Sequence, residues 1–343
     1  MASVLSPQSQ DTGWRSVFVM CLLAGLFTAG FRATDNIIVH NQIIAVDKMT
    51  AVSAYLIVGG WTGVVCSIVF SLLFGKKVLD PKFAGFMLRN KGMQVYALVT
   101  GGISAFVTLG LLRGSQEADP SVIIAFSSLA VLMTVFYDVS KNQLALRKFW
   151  LSGVVSMLGC ILATFGGSLS ATIVVVVSVL LVSNPLKAVS TVLEQRGARA
   201  SKDGVNFLVW RLFWLATTGT IAAISIALAR GYWSVLLDTM GGAISSGSTM
   251  IWIALTMLCV YLGIGFDVVA KKKEGVAVSY VLILVTSTQV LLGIPITFIG
   301  VRIQPEIFGV VPTEPSVWIV RLAGIALVSW GIFRLRKISP TLA

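Results

Sequence analysis

The sequence predicts an all-α integral membrane protein of ten transmembrane helices, arranged as two inverted five-helix repeats. Three observations carry this expectation. Hydrophobic residues fill 56% of the 343 positions and charged residues only 12%, about half the ~25% charge of a soluble domain, and the mean hydropathy is +0.91. Ten separate apolar runs reach the ~20 residues that a helix needs to cross about 30 Å of hydrocarbon. Two segments also recur in the same order. Residues 122–136 (VIIAFSSLAVLMTVF) match 281–295 (VLILVTSTQVLLGIP) at an offset of 159, with Ser127-Ser128 against Thr286-Ser287. Residues 159–166 (GCILATFG) match 324–331 (GIALVSWG) at an offset of 165.

In chain order, residues 1–13 are polar, lack a basic residue and are expected to be a disordered tail. They show neither the basic start nor the short apolar core of a signal peptide, so the first apolar run is read as a retained span. The first repeat, 14–169, holds spans at 14–34 (running on to about Ile38), 53–75, 93–113, 120–138 and 149–169. The second, 170–337, holds spans at 172–193, 207–229, 249–270, 276–301 and 317–336, followed by a tail at 338–343.

The loops alternate in charge. The even-numbered ones carry Lys76, Lys77, Lys82, Arg89 and Lys91, then Lys141, Arg147 and Lys148, then Arg196, Arg199 and Lys202, then Lys271 to Lys273. The odd-numbered ones hold little: Arg32 and Lys48, then Arg113, none, Arg230 and Arg302. This is the positive-inside pattern with both termini cytoplasmic, and a plasma (inner) membrane is the expected location. The net charge of +12 is thus read as orientation and headgroup contact, not as a nucleic-acid surface. Repeats of five spans must lie in opposite orientations, the arrangement that supports alternating access around a midplane site.

Composition also excludes classes. The four cysteines lie within apolar runs without metal-ligand spacing, and His40 is the single histidine. No metal site, no cofactor, no Ser-His-Asp triad and no Gly-rich phosphate loop is expected, so the chain is not read as an enzyme or an ATP-driven pump.

The succession of span, short polar turn, span, short basic turn and span over 96–113, 121–137 with Lys141 to Lys148, and 153–167, echoed by 279–295 and 322–331, resembles the drug/metabolite transporter superfamily, most nearly its EamA-like branch. The resemblance covers nearly the whole chain. It implies ten helices, two five-helix halves, and secondary transport. Where that family commonly has Pro within its fourth and ninth helices, this chain has Ala130 and Gln289, with Pro295 later. Asp138 and Glu306 stand nearest the Glu that commonly follows each helix.

Candidate site residues are polar groups that a spanning helix cannot leave facing lipid. Gln289 leads, because its amide brings four hydrogen-bonding positions that need partners. Ser128 and Asn184, the phenols of Tyr261 and Tyr280, and the cations Lys187 and Arg211 complete the expected substrate-binding set. Lys187 follows Asn184-Pro185, where the proline removes a backbone donor and can kink the helix. Each has a plainer alternative: Ser, Thr and Asn also bond helix to helix, and Lys and Arg also snorkel to the headgroups. Ser104, Thr108, Thr286 and Ser287 share the same depth. The expected function is secondary transport of a small polar metabolite, leaning to an anionic or zwitterionic solute. A channel and a lipid-modifying membrane enzyme are the alternatives. Expected partners are the solute and the bilayer, with association of a second copy left open and no nucleic acid.

Overall fold

The computed structural model describes residues 7–87, 90–115, 130–141, 143–163, 176–303 and 314–337. Among these there is no strand. Helix α1 spans Pro7–Ile37 and runs on through wider, π-type turns at Ile38–Gln42; α2 spans Lys48–Phe70 and continues likewise through Ser71–Leu79. Then come α3 (Lys91–Ser115), α4 (Ala130–Lys141) and α5 (Gln143–Ala163). Helix α6 (Asn184–Ala200) is entered through the π-type turns of Val176–Ser183, and is followed by α7 (Gly204–Ala229), α8 (Trp233–Ser245), α9 (Gly247–Lys272), α10 (Val278–Ile303) and α11 (Pro315–Lys337). Ser127, Ser128 and Glu306 lie outside the described residues.

Short polar residues start several of these helices. The Asp47 carboxylate accepts from the Met49 N–H at 2.9 Å and the Thr50 N–H at 3.3 Å to begin α2. Asp203 accepts from Asn206 N–H at 2.7 Å to begin α7, and Ser246 Oγ from Thr249 N–H at 3.3 Å to begin α9. Each satisfies a donor that the first turn leaves without an intrahelical partner. The π-type ladder before α6 gives way at Asn184-Pro185, where proline has no N–H to continue it. Helix α1 begins at Pro7, earlier than the hydropathy boundary at residue 14, with proline where its missing donor costs nothing. Helix α8 was not expected as a separate element; its Leu236, Thr239 and Ala243 fall at helical spacing and are buried against α2.

The fold is that of a helical membrane protein. Among the described residues, five stretches are long and apolar enough to cross a bilayer: Arg15–Gln42, Lys48–Leu79, Lys91–Gly114, Gly204–Ala229 and Gly247–Lys272. Shorter apolar helices follow at Trp150–Ala163, Val278–Gly293 and Pro315–Gly331. Large aliphatic side chains point outward, among them Ile221 (61% exposed), Ile251 (71%) and Ile319 (68%). Such a surface suits lipid and would be costly in water.

Hydrogen bonds sort the connections into two ends. At one end, the segment after α2 meets the segments after α6 and α9. Lys272 Nζ donates to Asp80 Oδ2 (2.9 Å) and to the Lys202 carbonyl (2.8 Å), and Asn90 Nδ2 donates to the Ala200 carbonyl (3.0 Å). At the other end, Arg230 after α7 meets Asp47 before α2 at 3.0 Å, and Ser248 donates to Gln42 Oε1 at 3.0 Å. The first end carries the lysine-rich connections.

Asp80 is a useful probe of that basic end. Partial burial opposes its ionisation, but the Gly204 and Lys82 N–H groups and the Lys272 ammonium outweigh this and hold its carboxyl below the ordinary value. A depressed folded-state pKa gives stability that is present above the unfolded value of about 3.9 and is lost as pH falls through the folded value. Asp80→Asn should therefore lower the melting temperature at neutral pH and leave it unchanged in strong acid. A pH series of thermal melts on both proteins checks this.

The packing order of the helices is regular. Helix α1 lies against α9 and α10, α6 against α3 and α4, α3 against α7, and α9 against α2. Helices α2 and α7 pack on each other, as do α5 and α11. In the first of these pairs, Trp61 Nε1 donates to Thr220 Oγ1 at 3.0 Å, two positions separated by 159 residues. In the second, the backbones at Gly159 and Gly324 nearly touch: a Cβ built on Gly324 would sit 2.7 Å from the Gly159 carbonyl oxygen and 2.2 Å from Ala163 N.

Candidate functional site

A cavity of about 210 Å³ lies among α1, α2, α3, α6, α7, α9 and α10. Each helix presents one face to it, spaced at three and four residues. On α1 these are Thr28, Phe31, Arg32 and Asp35; on α6 they are Lys187, Ser190, Thr191 and Glu194; on α10 they are Leu282, Val285, Thr286 and Gln289. All three sets fall at i, i+3, i+4 and i+7, one side of a helix.

Toward the basic end, α6, α7 and α9 bring four charges together. Glu194 is the hub. Its Oε1 pairs with Arg211 Nη2 at 2.7 Å and its Oε2 with Lys271 Nζ at 2.8 Å. Lys271 also reaches Asp267 Oδ2, one turn away, at 2.5 Å. Ser190 Oγ donates to Glu194 Oε1 at 3.0 Å, and Arg211 Nη2 donates to Ser104 Oγ on α3 at 2.9 Å. Lys271 is 1% exposed and Glu194 4%. Burial of this depth removes water from the charges, so the group holds only while each charge faces its opposite. It is nearly but not fully satisfied: Arg211 Nε and Nη1 and Asp267 Oδ1 are buried without a hydrogen-bond partner.

Farther along the cavity, the Tyr55 hydroxyl on α2 donates to Asp35 Oδ1 on α1. Arg32 and Lys187 line the same region. Among the described residues neither makes an ion pair or donates a side-chain hydrogen bond; the Arg32 guanidinium lies 5.1 Å from the centroid of the Phe31 ring. The remaining wall is largely apolar, with Leu56, Val107, Leu215, Met257 and Val260.

Of the residues singled out from the sequence, Gln289, Lys187 and Arg211 line this cavity. Ser104, Thr108 and Thr286 join them. Asn184, Tyr261 and Tyr280 are buried outside its lining. The Tyr261 hydroxyl accepts from Ser71 Oγ at 3.1 Å, and Tyr280 packs in a hydrophobic cluster with Cys21 and Leu284. Ser128 lies outside the described residues. Arg211 does not snorkel, because Glu194 holds it inside.

Glu194 was missed, since the sixth span was ended at Leu193 where Glu-Gln-Arg lowers the hydropathy. Instead, the helix continues to Ala200. The spacing of Lys187, Ser190, Thr191 and Glu194 on one face could have shown it. No group of three or more metal-ligating side chains occurs among the described residues.

No protein-family model matches the sequence, and no curated protein matches it. A solved structure described only as "Crystal structure of protein" is similar over 96% of this chain and 96% of its own, with a TM-score of 0.51 and 14% identity. At that identity the likeness speaks for the helical fold alone.

Proposed function

We propose that the chain is a secondary transporter of the drug/metabolite type, moving a small polar solute by alternating access between two inverted five-helix halves. Helices α1 to α5 form one half. Helices α6, α7, α9, α10 and α11 form the other, with α8 as an added surface helix. The observation that carries this reading is the cavity: buried charged and polar groups from both proposed halves converge on one space between them. Such groups are costly at membrane depth unless they serve a solute path.

Exchange of the two halves supports the reading. It turns the α1–α9 contact into α6–α3, α1–α10 into α6–α4, and α3–α7 into α9–α2, and each of these contacts occurs. The pairs α2–α7 and α5–α11 map onto themselves. The cavity faces of α1 and α6 also correspond at the 159-residue offset read from the sequence, Thr28 with Lys187 and Asp35 with Glu194. Alternation of the connections between two ends, one lysine-rich, supports cytoplasmic termini. In this reading the EamA-like resemblance accounts for the fold, and the chain carries solute rather than transforming it.

The test is flux through purified protein in proteoliposomes, across amino acids, organic acids, sugars and organic cations. Gln289→Leu should cut uptake of the transported solute more than about tenfold, since the lost amide contributes about 1–3 kcal/mol of directed hydrogen bonding. The yield of folded protein should stay unchanged. Wild-type uptake by this variant would remove Gln289 from the path, and absence of saturable flux for every class would remove the transporter reading.

A further inference from the structure

We infer that Arg32 and Lys187 form an anion clamp for a compact monocarboxylate, one cation from each of the two halves; this deepens the transporter reading and rests on it for the solute's movement. The inference starts from charge balance. Four cations (Arg32, Lys187, Arg211, Lys271) and three carboxylates (Asp35, Glu194, Asp267) line the cavity among the described residues. Arg211, Lys271, Glu194 and Asp267 form a neutral set bound together by direct contacts. That leaves Arg32 and Lys187 with a single carboxylate, Asp35, which is engaged by Tyr55. The upper part of the cavity therefore carries one uncompensated positive charge.

The placement of that charge is specific. The lysine and the arginine extend from α6 and α1 into one space, and Arg32 is the charge that acts most strongly on Lys187. The other charges facing Lys187 are Lys271, Asp267 and Glu194, all members of the cluster already neutralised. Asp35 can balance only one of the two cations that line this space, and an anion held between them offsets the remaining positive charge in a largely apolar pocket. A carboxylate suits both: guanidinium offers a planar fork and ammonium a point donor.

Size and polarity narrow the class. The cavity's 210 Å³ falls below the roughly 300–1,000 Å³ of drug-sized ligand sites, which suits a small organic acid. The aliphatic wall of Leu56, Leu215 and Val260 favours an organic tail over an inorganic ion. A single negative charge completes the balance, whereas a dianion overshoots it.

The experiment uses the full chain, purified in detergent and in proteoliposomes, with lactate, pyruvate and benzoate as monoanions. Malate, choline and sodium chloride serve as comparisons. The three monoanions should raise the melting temperature with concentration, as ligands of the folded form do, and malate, choline and chloride should not. Lys187→Met and Arg32→Met should each weaken the effect about tenfold or more, the scale of a charge-assisted contact. Lys187→Arg should keep it. Lys187→Met should also raise the melting temperature of the ligand-free protein, because it deletes a half-buried cation that makes no ion pair among the described residues; a merely structural lysine would lower it.

If none of the three monoanions stabilises the wild type, or if Lys187→Met responds as the wild type does, the clamp is overturned, whatever else crosses the membrane. Equal stabilisation by sodium chloride overturns the carboxylate class, and equal stabilisation by malate overturns the single-charge requirement. If the monoanions bind as expected but no solute shows saturable flux, the clamp stands and the transporter reading falls.

Discussion

Glu194→Gln is expected to destabilise the folded protein by about 3–5 kcal/mol, the cost of removing one partner from a buried ion pair. The substitution keeps shape but removes the charge and turns one acceptor oxygen into an amide donor, which must then face either Arg211 and Ser190 or Lys271. Without the carboxylate, Arg211 loses its ion-pair partner and keeps only the Ser104 hydroxyl through Nη2, while Nε and Nη1 are already unbonded. Lys271 falls back on Asp267 alone. Three buried charges then sum to one positive, in a place where Lys271 is 1% exposed. The double variant Glu194→Gln/Lys271→Met restores neutrality, leaving Arg211 and Asp267. It should recover a large part of the loss. Removal of two groups that interact is not additive, and the sign of the departure is the informative quantity here. Unfolding titrations in mixed detergent on the wild type, both single variants and the double variant supply the cycle. A Glu194→Gln protein as stable as the wild type would mean that the four charges are not held together in the folded state.

How these charges arise from the chain explains what the sequence could reveal. Averaged hydropathy registers apolar length, so the apolar helical character and the five long stretches found among the described residues were legible directly. It treats a charge as a boundary, so it ended the sixth span before Glu194 and left Arg211 open to a snorkelling reading beside the substrate-binding one. A helix tolerates such residues when another helix brings the opposite charge to the same depth, and that is a tertiary fact. The phase of Lys187, Ser190, Thr191 and Glu194 was written in the sequence, but it gains meaning only beside the matching faces of α1 and α10. Gln289 was legible because an amide has few acceptable surroundings in a membrane. Tyr261 and Tyr280 were not separable from cavity residues by type alone. A phenol amid aliphatic residues fits a solute wall or a packed core, and both lie outside the cavity lining, Tyr261 bonded by Ser71 and Tyr280 in the core. Helix α8 escaped notice because its thirteen residues are too short for a span and only three of them are buried.

Gly324→Val is expected to cost about 3 kcal/mol or more, at the upper end of what overpacking costs a core, and to reduce the yield of folded protein sharply. The reason is backbone, not side chain. A Cβ at this position meets Ala163 N at 2.2 Å, the Gly159 carbonyl oxygen at 2.7 Å and the Leu162 carbonyl carbon at 2.7 Å. No rotamer change relieves contacts with main-chain atoms, so α5 and α11 must move apart. Helices in a bilayer associate through close backbone approach at small residues, because lipid offers no less apolar contact than a neighbouring helix does. Gly159 on α5 lies across the same contact, and a Cβ there meets Val328 N at 2.7 Å and the Gly324 carbonyl oxygen at 2.8 Å. Gly159→Ala and Gly324→Ala should therefore destabilise by similar amounts, and together by less than their sum, since either one alone already opens the same contact. Gly241 on α8 is the control: an added Cβ meets nothing within 4 Å, so Gly241→Ala should stabilise by up to about 1 kcal/mol through helix propensity. Thermal melts and size-exclusion yields of the five variants, the double alanine variant included, decide the matter. Strictly additive losses at Gly159 and Gly324 would show that the two glycines do not share one contact.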